Sequence, residues 1–215
     1  MIDISMIQAV FSAISTQMAE NREYLILLDA QNGDGDLGIS MDVGFKAVAV
    51  FMQDTDETDL GRLFLKAGKV FNEASPSSLG TILSFMLMGM AKSLKGKETV
   101  SMDEMVAAMD AGVNFMMEKA GSKRGEKTIL DALCPALDAL KETAGQEGKT
   151  RIEKAAAAAA DGSEHTRHMR SVHGRAAYYG EKSIGVLDGG SVAGRLIFEG
   201  IQKAVSEVRP GIPDH

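Results

Sequence analysis

The sequence predicts an all-α protein, an antiparallel bundle or barrel of about eight helices. Apolar residues recur every three or four positions in eight separate segments, as they do on the buried face of an amphipathic helix. Helix-favouring residues are plentiful, including 14 methionines, whereas runs of β-branched residues are few and no convincing pair of strands is present. The links between the segments are short, so we expect consecutive helices to run antiparallel.

The predicted helices account for most of the chain. They cover residues 5–28, 39–53, 60–71, 79–91, 102–116, 128–140, 151–160 and 191–208. At the first start we expect Ser5 and Gln8 to form a capping pair. Ser101 and Glu104 should form a capping box at the fifth start, and Thr128 should cap the sixth.

Several residues are expected to interrupt or end these helices. The first apolar face is interrupted at Asn21, and Pro135 should kink the sixth helix if it lies past the first turn. We expect a break near Asp161-Gly162, after the alanine-rich seventh helix, and a frayed tail over residues 210–215. Cys134 lies in an apolar stripe, so we expect its thiol to be inert.

The composition is that of one globular domain, which we predict over residues 1–215. Hydrophobic residues make up 45% of the chain and charged residues 25%. The net charge of −7 and the lack of a long basic block argue against binding to nucleic acid. The longest uncharged run, residues 74–91, has too short an apolar part to span a membrane. With a single cysteine and no basic N-terminal signal, we expect a cytoplasmic protein.

The residues suited to chemistry concentrate in a glycine-rich loop, residues 28–38. Its glycines allow the backbone to turn so that Asp29, Asp34 and Asp36 point at one place. A hard cation such as Mg²⁺ or Ca²⁺ would relieve the repulsion between the three carboxylates. The alternative is an ordinary turn, because Asp, Asn and Gly favour turns anyway. A calcium EF-hand is excluded, because Leu37 stands where that loop needs glycine.

Other polar glycine loops lie between the predicted helices, at residues 73–80, 121–128 and 180–190. In an up-and-down array alternate loops share one end, so the serines of the second loop and Arg175 would join the aspartates in a metal–phosphate site. The alternative for the serines is plain capping of the next helix by Ser77 or Ser78.

Three histidines, His165, His168 and His173, lie among arginines in the last third of the chain. We interpret this cluster as a basic, solvated face. His165 and His168 have the spacing of a metal-binding pair, but no convincing third ligand accompanies them.

These motifs together resemble the nucleotide-binding L subunit of the dihydroxyacetone kinase family, over essentially the whole chain. The family's D-x4-D-x-D metal loop is similar to residues 28–38, and its phosphate turn is similar to residues 74–81. Its Gly-Asp-Lys-Thr-Met-Leu-Asp segment resembles residues 125–131. Its Gly-Arg-Ala-Ser-Tyr and Asp-Pro-Gly pieces resemble residues 174–178 and 188–190.

The resemblance implies an eight-helix barrel with a nucleotide, ADP or ATP, bound at one end. It implies two Mg²⁺ ions held by Asp29, Asp34 and Asp36 and bridging the phosphates. The residues that it implies around the nucleotide are Leu37, Gly38, Ile39, Ser40, Ala74, Ser75, Gly121, Ile129, Arg175, Asp188, Gly189 and Gly190. It assigns no catalytic residue to this chain.

The resemblance also implies a reaction and partners. Phosphoryl transfer would go to a short-chain ketose such as dihydroxyacetone, held covalently on a histidine of a separate K subunit. Bound ADP can act as a coenzyme that a phosphotransferase-system protein recharges. A homodimer is a further expected assembly. Phosphoryl transfer depends mostly on positioning and charge neutralisation, which a metal–carboxylate site supplies.

The chain departs from the family pattern at three places. Leu37 stands where the family commonly has histidine, Pro76-Ser77 replace a Gly-Pro pair, and Gly189 replaces a proline. An alternative function is therefore that of a non-catalytic paralogue that senses nucleotide or binds a partner. A third is a helical module that binds Ca²⁺ tightly without nucleotide.

Overall fold

The computed structural model describes residues 1–207, which form α-helices joined by short links and two 3₁₀ helices. The α-helices are α1 (Ile4–Glu20), α2 (Arg22–Asp29), α3 (Leu37–Asp54), α4 (Leu60–Ala74), α5 (Ser78–Leu94), α6 (Met102–Ala120), α7 (Leu130–Glu142), α8 (Gly148–His165) and α9 (Gly189–Glu207). The 3₁₀ helices are Thr166–His168 and Arg175–Ser183. The all-α prediction is confirmed, and the only extended pairing in the described part is one bridge between Ile2 and Val100. The predicted end of the last helix at Val208 and the tail 210–215 lie outside the described residues.

The eight long helices close into a ring. Each packs against the next along the chain, and α9 packs against α1. The short α2 packs on α3, and it is separated from α1 at Asn21, where the sequence predicts a break. Up-and-down closure of this kind brings alternate links to the same end of the barrel. One of the two ends of the barrel carries the acidic loop between α2 and α3.

Apolar side chains from every long helix line the interior of the ring, around a cavity of about 440 Å³. Edge-to-face contacts between aromatic rings join α3 to α4, where the centroids of Phe45 and Phe71 are 4.9 Å apart. The alanine run of α8 lies against its neighbours with Ala155 and Ala159 fully buried, as small side chains allow. None of the helices in residues 1–207 is both long enough and apolar enough to cross a membrane.

The start of α1 differs from the prediction. The helix begins at Ile4, and the carboxylate of Asp3 caps it by accepting a hydrogen bond from the N–H of Met6 (3.0 Å). Ser5 and Gln8 therefore form no capping pair, and the Gln8 amide instead donates to the carbonyl of Met52 (2.6 Å). The carboxylate of Asp3, two residues before Ser5, competes successfully because its charge is favoured at a helix N-terminus.

The course of α7 and α8 is partly as predicted. Pro135 lies inside α7, past its first turn. The break predicted near Asp161-Gly162 is wrong, because α8 continues to His165. Gly162 lies where α8 touches α7, and a Cβ atom there would lie 2.1 Å from the carbonyl oxygen of Asp131. The glycine permits close packing of the two helices and does not end α8. The predicted capping box of Ser101 and Glu104 at α6 is confirmed.

Candidate functional site

The three aspartates of the acidic loop converge. Asp29 ends α2, Asp34 lies in the loop and Asp36 immediately precedes α3. One carboxylate oxygen from each lies within 4.8 Å of the others. Oxygen donors of this kind are the ligands that Mg²⁺ and Ca²⁺ prefer.

Backbone turns at two glycines hold this arrangement. Gly33 packs so closely on Asp29 that a Cβ atom would lie 2.3 Å from the Asp29 Oδ1. Gly35 has a φ of +77°, and its N–H donates to the Asp29 Oδ2 (2.7 Å). The glycine spacing noted in the sequence therefore serves to place the carboxylates.

The charges at this site favour a bound cation. Burial, and then the negative charges of Asp34 and Asp29, raise the pKa of the Asp36 carboxyl above its usual value. Arg175 opposes this rise, and its guanidinium lies 2.7 Å from the Asp34 carboxylate. Since the arginine does not offset the repulsion, the cluster fits a hard divalent cation.

A cavity of about 540 Å³ opens beside the aspartates. The starts of four helices border it: Leu37 begins α3, Ser78 begins α5, Leu130 begins α7 and Gly189 begins α9. Helix N-termini carry free N–H groups and a partial positive charge, so the cavity is suited to an anion such as phosphate. The expectation that alternate loops share one end is met here.

Nine of the residues implied for metal or nucleotide lie on the cavity wall. They are Asp29, Asp34, Asp36, Leu37, Ile129, Arg175, Asp188, Gly189 and Gly190. Apolar side chains at Leu79, Ile82 and Ile129 also line the cavity, so its wall is partly polar and partly apolar.

Six of the implied residues lie off the wall: Gly38, Ile39, Ser40, Ala74, Ser75 and Gly121. Gly38 packs on Arg22 and Ile26 of α2, and Ile39 is exposed to solvent. Ser75 is buried beneath the turn, so Pro76, Ser77 and Ser78 face the cavity instead.

At the start of α5 the predicted capping is confirmed, since Ser77 Oγ accepts the Gly80 N–H (3.1 Å). Gly121 ends α6 with a φ of +61°, and its neighbours Ala120 and Ser122 form the wall.

Asp188 lies at the start of α9, partly buried in the wall. Its Oδ2 accepts the N–H of Ser191 (2.6 Å), and its own N–H donates to the Thr166 hydroxyl (3.1 Å). Loss of hydration raises the pKa of its carboxyl to about 7, against the lowering effects of the Ser191 hydrogen bond and the Lys127 charge.

Sequence reasoning missed Lys127 and Thr128, which also line the cavity. Lys127 is buried, and burial lowers the pKa of its ammonium group while the charge of Asp188 raises it. The signal that could have found Lys127 in the sequence was its positive charge within the segment 125–131. His173 lines the cavity too, with its Nε2 2.6 Å from the Glu126 carboxylate.

The remaining candidates lie elsewhere. His165 and His168 are exposed, as interpreted from the sequence, and within residues 1–207 the aspartate triad is the only cluster of three acids, histidines or cysteines with a geometry that could hold a metal ion. Burial raises the pKa of the Cys134 thiol to about 11, in accord with an inert cysteine.

Comparison with known sequences identifies relatives. A model of the DAK2 domain matches residues 31–203. The chain is 30% identical over 182 residues to the ADP-binding subunit DhaL of PEP-dependent dihydroxyacetone kinase 1 of Listeria innocua, covering 85% of this chain and 87% of that one. It is 29% identical over 203 residues to the L-erythrulose 1-kinase of Mycolicibacterium smegmatis, covering 94% of this chain and 35% of that protein.

Comparison with solved structures supports the fold. The dihydroxyacetone kinase of C. freundii in complex with AMP-PNP and Mg²⁺ superposes with a TM-score of 0.75 at 22% identity. The match covers 93% of this chain and 34% of that one. The chain therefore spans about a third of this kinase and of the erythrulose kinase, but most of the Listeria subunit.

Proposed function

The chain belongs to the DAK2 domain family, that of the L subunit of dihydroxyacetone kinase, and on this premise we propose that it is the nucleotide- and magnesium-binding subunit of such a kinase. The acceptor would be a short-chain ketose held on a separate K subunit in the cytoplasm. The observation that carries the proposal is the convergence of three carboxylates, within 4.8 Å, beside a cavity bordered by four helix starts.

Each part of the cavity has a role in this proposal. Asp29, Asp34 and Asp36 would hold two Mg²⁺ ions, and these ions would supply the positive charge that neutralises the phosphates. The helix starts and the hydroxyls of Ser77 and Ser78 would hold the phosphates. The apolar wall of Leu79, Ile82 and Ile129 would take the base, so the phosphates would point towards the acidic loop.

Arg175 has a separate role from the metal ligands. Its guanidinium pairs with Asp34 at 2.7 Å and is exposed, so it is free to turn towards a phosphate once a cation takes over Asp34. It would then close the open side of the cavity. This change needs only a rotation of the side chain, because Arg175 already lines the cavity.

Thermal unfolding with nucleotide tests the binding part. We expect ADP to raise the melting temperature of the wild type only when Mg²⁺ is present, because the phosphates reach the carboxylates through the cation. Asp34→Asn should abolish this rise. Asp56→Asn, at an exposed aspartate in the α3–α4 link, is the matched control and should retain it. No rise for any nucleotide with Mg²⁺ would refute the proposal.

Phosphoryl transfer tests the finer part. We expect transfer to dihydroxyacetone or to a four-carbon ketose when a K subunit of a related kinase is added, with ATP or with ADP and a phosphotransferase-system phosphoprotein as donor. The relationship to an erythrulose kinase supports including the four-carbon ketose.

A non-catalytic paralogue is the second candidate function. It is favoured by Leu37, an apolar residue that lines the cavity next to Asp36, where the family commonly has histidine. Mg²⁺-dependent nucleotide binding without transfer to any ketose, from either donor, would support this candidate over the kinase subunit.

A further inference from the structure

A buried lysine with three backbone partners lies beside the cavity. Lys127 is 4% exposed, and its ammonium group donates hydrogen bonds to three carbonyl oxygens. The Nζ–O distances are 3.2 Å to Met169, 2.6 Å to Ser183 and 2.6 Å to Val186. These carbonyls lie near the two ends of residues 169–188, a segment that we call the strap. We propose that Lys127 is a positioning residue that fastens both ends of the strap and so sets one wall of the nucleotide site.

The strap matters because it forms part of the cavity. It contributes Ser171, His173, Arg175 and Asp188 to the wall. Between its fastened ends it reaches across to the acidic loop, where Arg175 meets Asp34. The position of these side chains therefore depends on where the ends of the strap are held.

Hydrogen bonds within the strap fix its shape, and two more join its far end to the first 3₁₀ helix, from the Gly185 N–H to the Arg167 carbonyl (2.7 Å) and from the Asp188 N–H to the Thr166 hydroxyl (3.1 Å). The Ser171 N–H donates to the Ser183 hydroxyl (2.9 Å), which joins the two limbs of the strap. Of the side-chain attachments, Arg175 to Asp34 is an exposed pair and contributes little, whereas His173 to Glu126 is partly buried and holds only the middle of the strap. The three bonds to the ammonium group are charge-assisted and hold both ends of the strap to the loop before α7, which none of the other bonds does.

The loop that carries Lys127 is itself held firmly. The buried carboxylate of Asp131 accepts the N–H of Gly125 (2.6 Å) with one oxygen and that of Thr128 (2.8 Å) with the other. Lys127 has a φ of +61°, a conformation that non-glycine residues rarely adopt. The two carboxylate bonds keep the backbone in this turn, which directs the ammonium group inward to the strap.

The charges around Lys127 suit a fastening role. Asp188 is the negative group that acts on the ammonium, and Arg167 is the positive group that opposes it. The direct hydrogen-bond partners are all carbonyl oxygens, so they remain acceptors at any pH. Replacing the ammonium with an apolar end would leave three carbonyls without this donor, and each loss of a charged partner is costly.

The test uses Lys127→Met, which keeps the length of the side chain and removes its donors. We expect amide hydrogen exchange in residues 169–187 of the ligand-free protein to rise about tenfold or more, and trypsin to cleave faster at Arg170 and Arg175. The inference rests on the proposed function for its second readout, a weakening of ADP binding in Mg²⁺ by about tenfold or more. Binding of Mn²⁺ without nucleotide should not weaken, because the three aspartates are untouched and release of Arg175 removes only a competing positive charge.

Arg151→Met is the matched control, since Arg151 is also a buried cation but lies away from the cavity. Its guanidinium binds the Asp103 carboxylate (2.7 Å) and the Leu140 carbonyl (2.9 Å). This variant should lose stability without faster exchange confined to residues 169–187 and without weaker ADP binding. Lys127→Gln, whose shorter amide keeps two donors, should fall between the wild type and Lys127→Met.

The outcomes separate the inference from the proposed function. The inference would be overturned if amide exchange in the strap of Lys127→Met were as slow as in the wild type. An equal rise in strap exchange in Arg151→Met would also overturn it. So would unfolding of both Lys127 variants at a temperature where Arg151→Met stays folded, because a residue that only fastens the strap leaves the barrel intact. A wild type that binds no ADP would refute the proposed function, while the exchange comparison on ligand-free protein would still decide the inference.

Discussion

Leu37 and Gly189, two of the departures from the family pattern, touch each other, and this contact leads to a prediction about stability. Leu37 is 8% exposed at the start of α3, and Gly189 begins α9. A Cβ atom at position 189 would lie 2.6 Å from the Leu37 Cδ2, well inside van der Waals contact. The glycine therefore makes room for the leucine. We expect Gly189→Ala to destabilise the protein, because either the leucine or α9 must shift.

The size of the effect follows from packing. Overpacking a buried site typically costs about 1–3 kcal/mol, and we expect the lower end because the clash is with the tip of a flexible side chain. Leu37→Ala alone should cost about 2 kcal/mol or more through lost burial and the void that it leaves. In the double variant the new methyl group has no Leu37 Cδ2 to meet, so the two costs should not add. We expect a coupling of about 1 kcal/mol in favour of the double variant.

Urea unfolding of the wild type, both single variants and the double variant measures this coupling. Nucleotide affinity provides a second check, because a leucine displaced into the cavity by Gly189→Ala should weaken ADP binding, and Leu37→Ala should restore it. Additivity of the two single effects within about 0.5 kcal/mol would show that the two positions are independent and would refute the reasoning.

Three further outcomes follow from single side chains. The pKa of Asp188 is raised to about 7 in the folded state, so the folded protein holds the carboxyl proton more strongly than the unfolded chain does. The free energy of unfolding should therefore fall by up to about 4 kcal/mol as pH rises from about 4 to about 7. Asp188→Asn should remove this loss, so the stability of the variant relative to wild type should rise over the same range in urea titrations. Asp131→Asn should cost about 1–3 kcal/mol and speed amide exchange at Gly125 and Thr128, because an amide group offers one acceptor where the carboxylate offers two. Cys134, with its thiol pKa near 11, should react with a thiol reagent at neutral pH far more slowly in the folded protein than in urea, and equal rates would contradict the burial seen here.

The sequence predicted the fold and the convergence of the three aspartates because both depend on local pattern. Helical periodicity and short links are sufficient for an up-and-down barrel, and glycines around Asp29, Asp34 and Asp36 are sufficient for a converging turn. Lys127 was missed because its partners are carbonyls 42 to 59 residues away, and backbone acceptors leave no mark on residue type. Gly162 was misread because a glycine that allows helices to touch looks the same in sequence as one that ends a helix.

Only some of the residues expected around the phosphates lie on the cavity wall, for a related reason. The resemblance pointed to the backbone after Asp36 and to Ser75, but the first turn of α3 packs Gly38 against α2, and Ser75 is buried below its own turn. Which residues of a loop face inward depends on the packing of the helices on either side. Pro76, Ser77 and Ser78, which follow Ser75 in the chain, line the cavity instead.

The central claim, that the three aspartates bind the cation that carries the nucleotide's phosphates, is tested most directly by anomalous diffraction. A crystal soaked with Mn²⁺ and ADP should show manganese peaks between Asp29, Asp34 and Asp36, with the diphosphate of ADP on the cavity side of the ions. Nucleotide in the cavity with no manganese at the aspartates, or manganese there with the nucleotide bound elsewhere, would contradict this account.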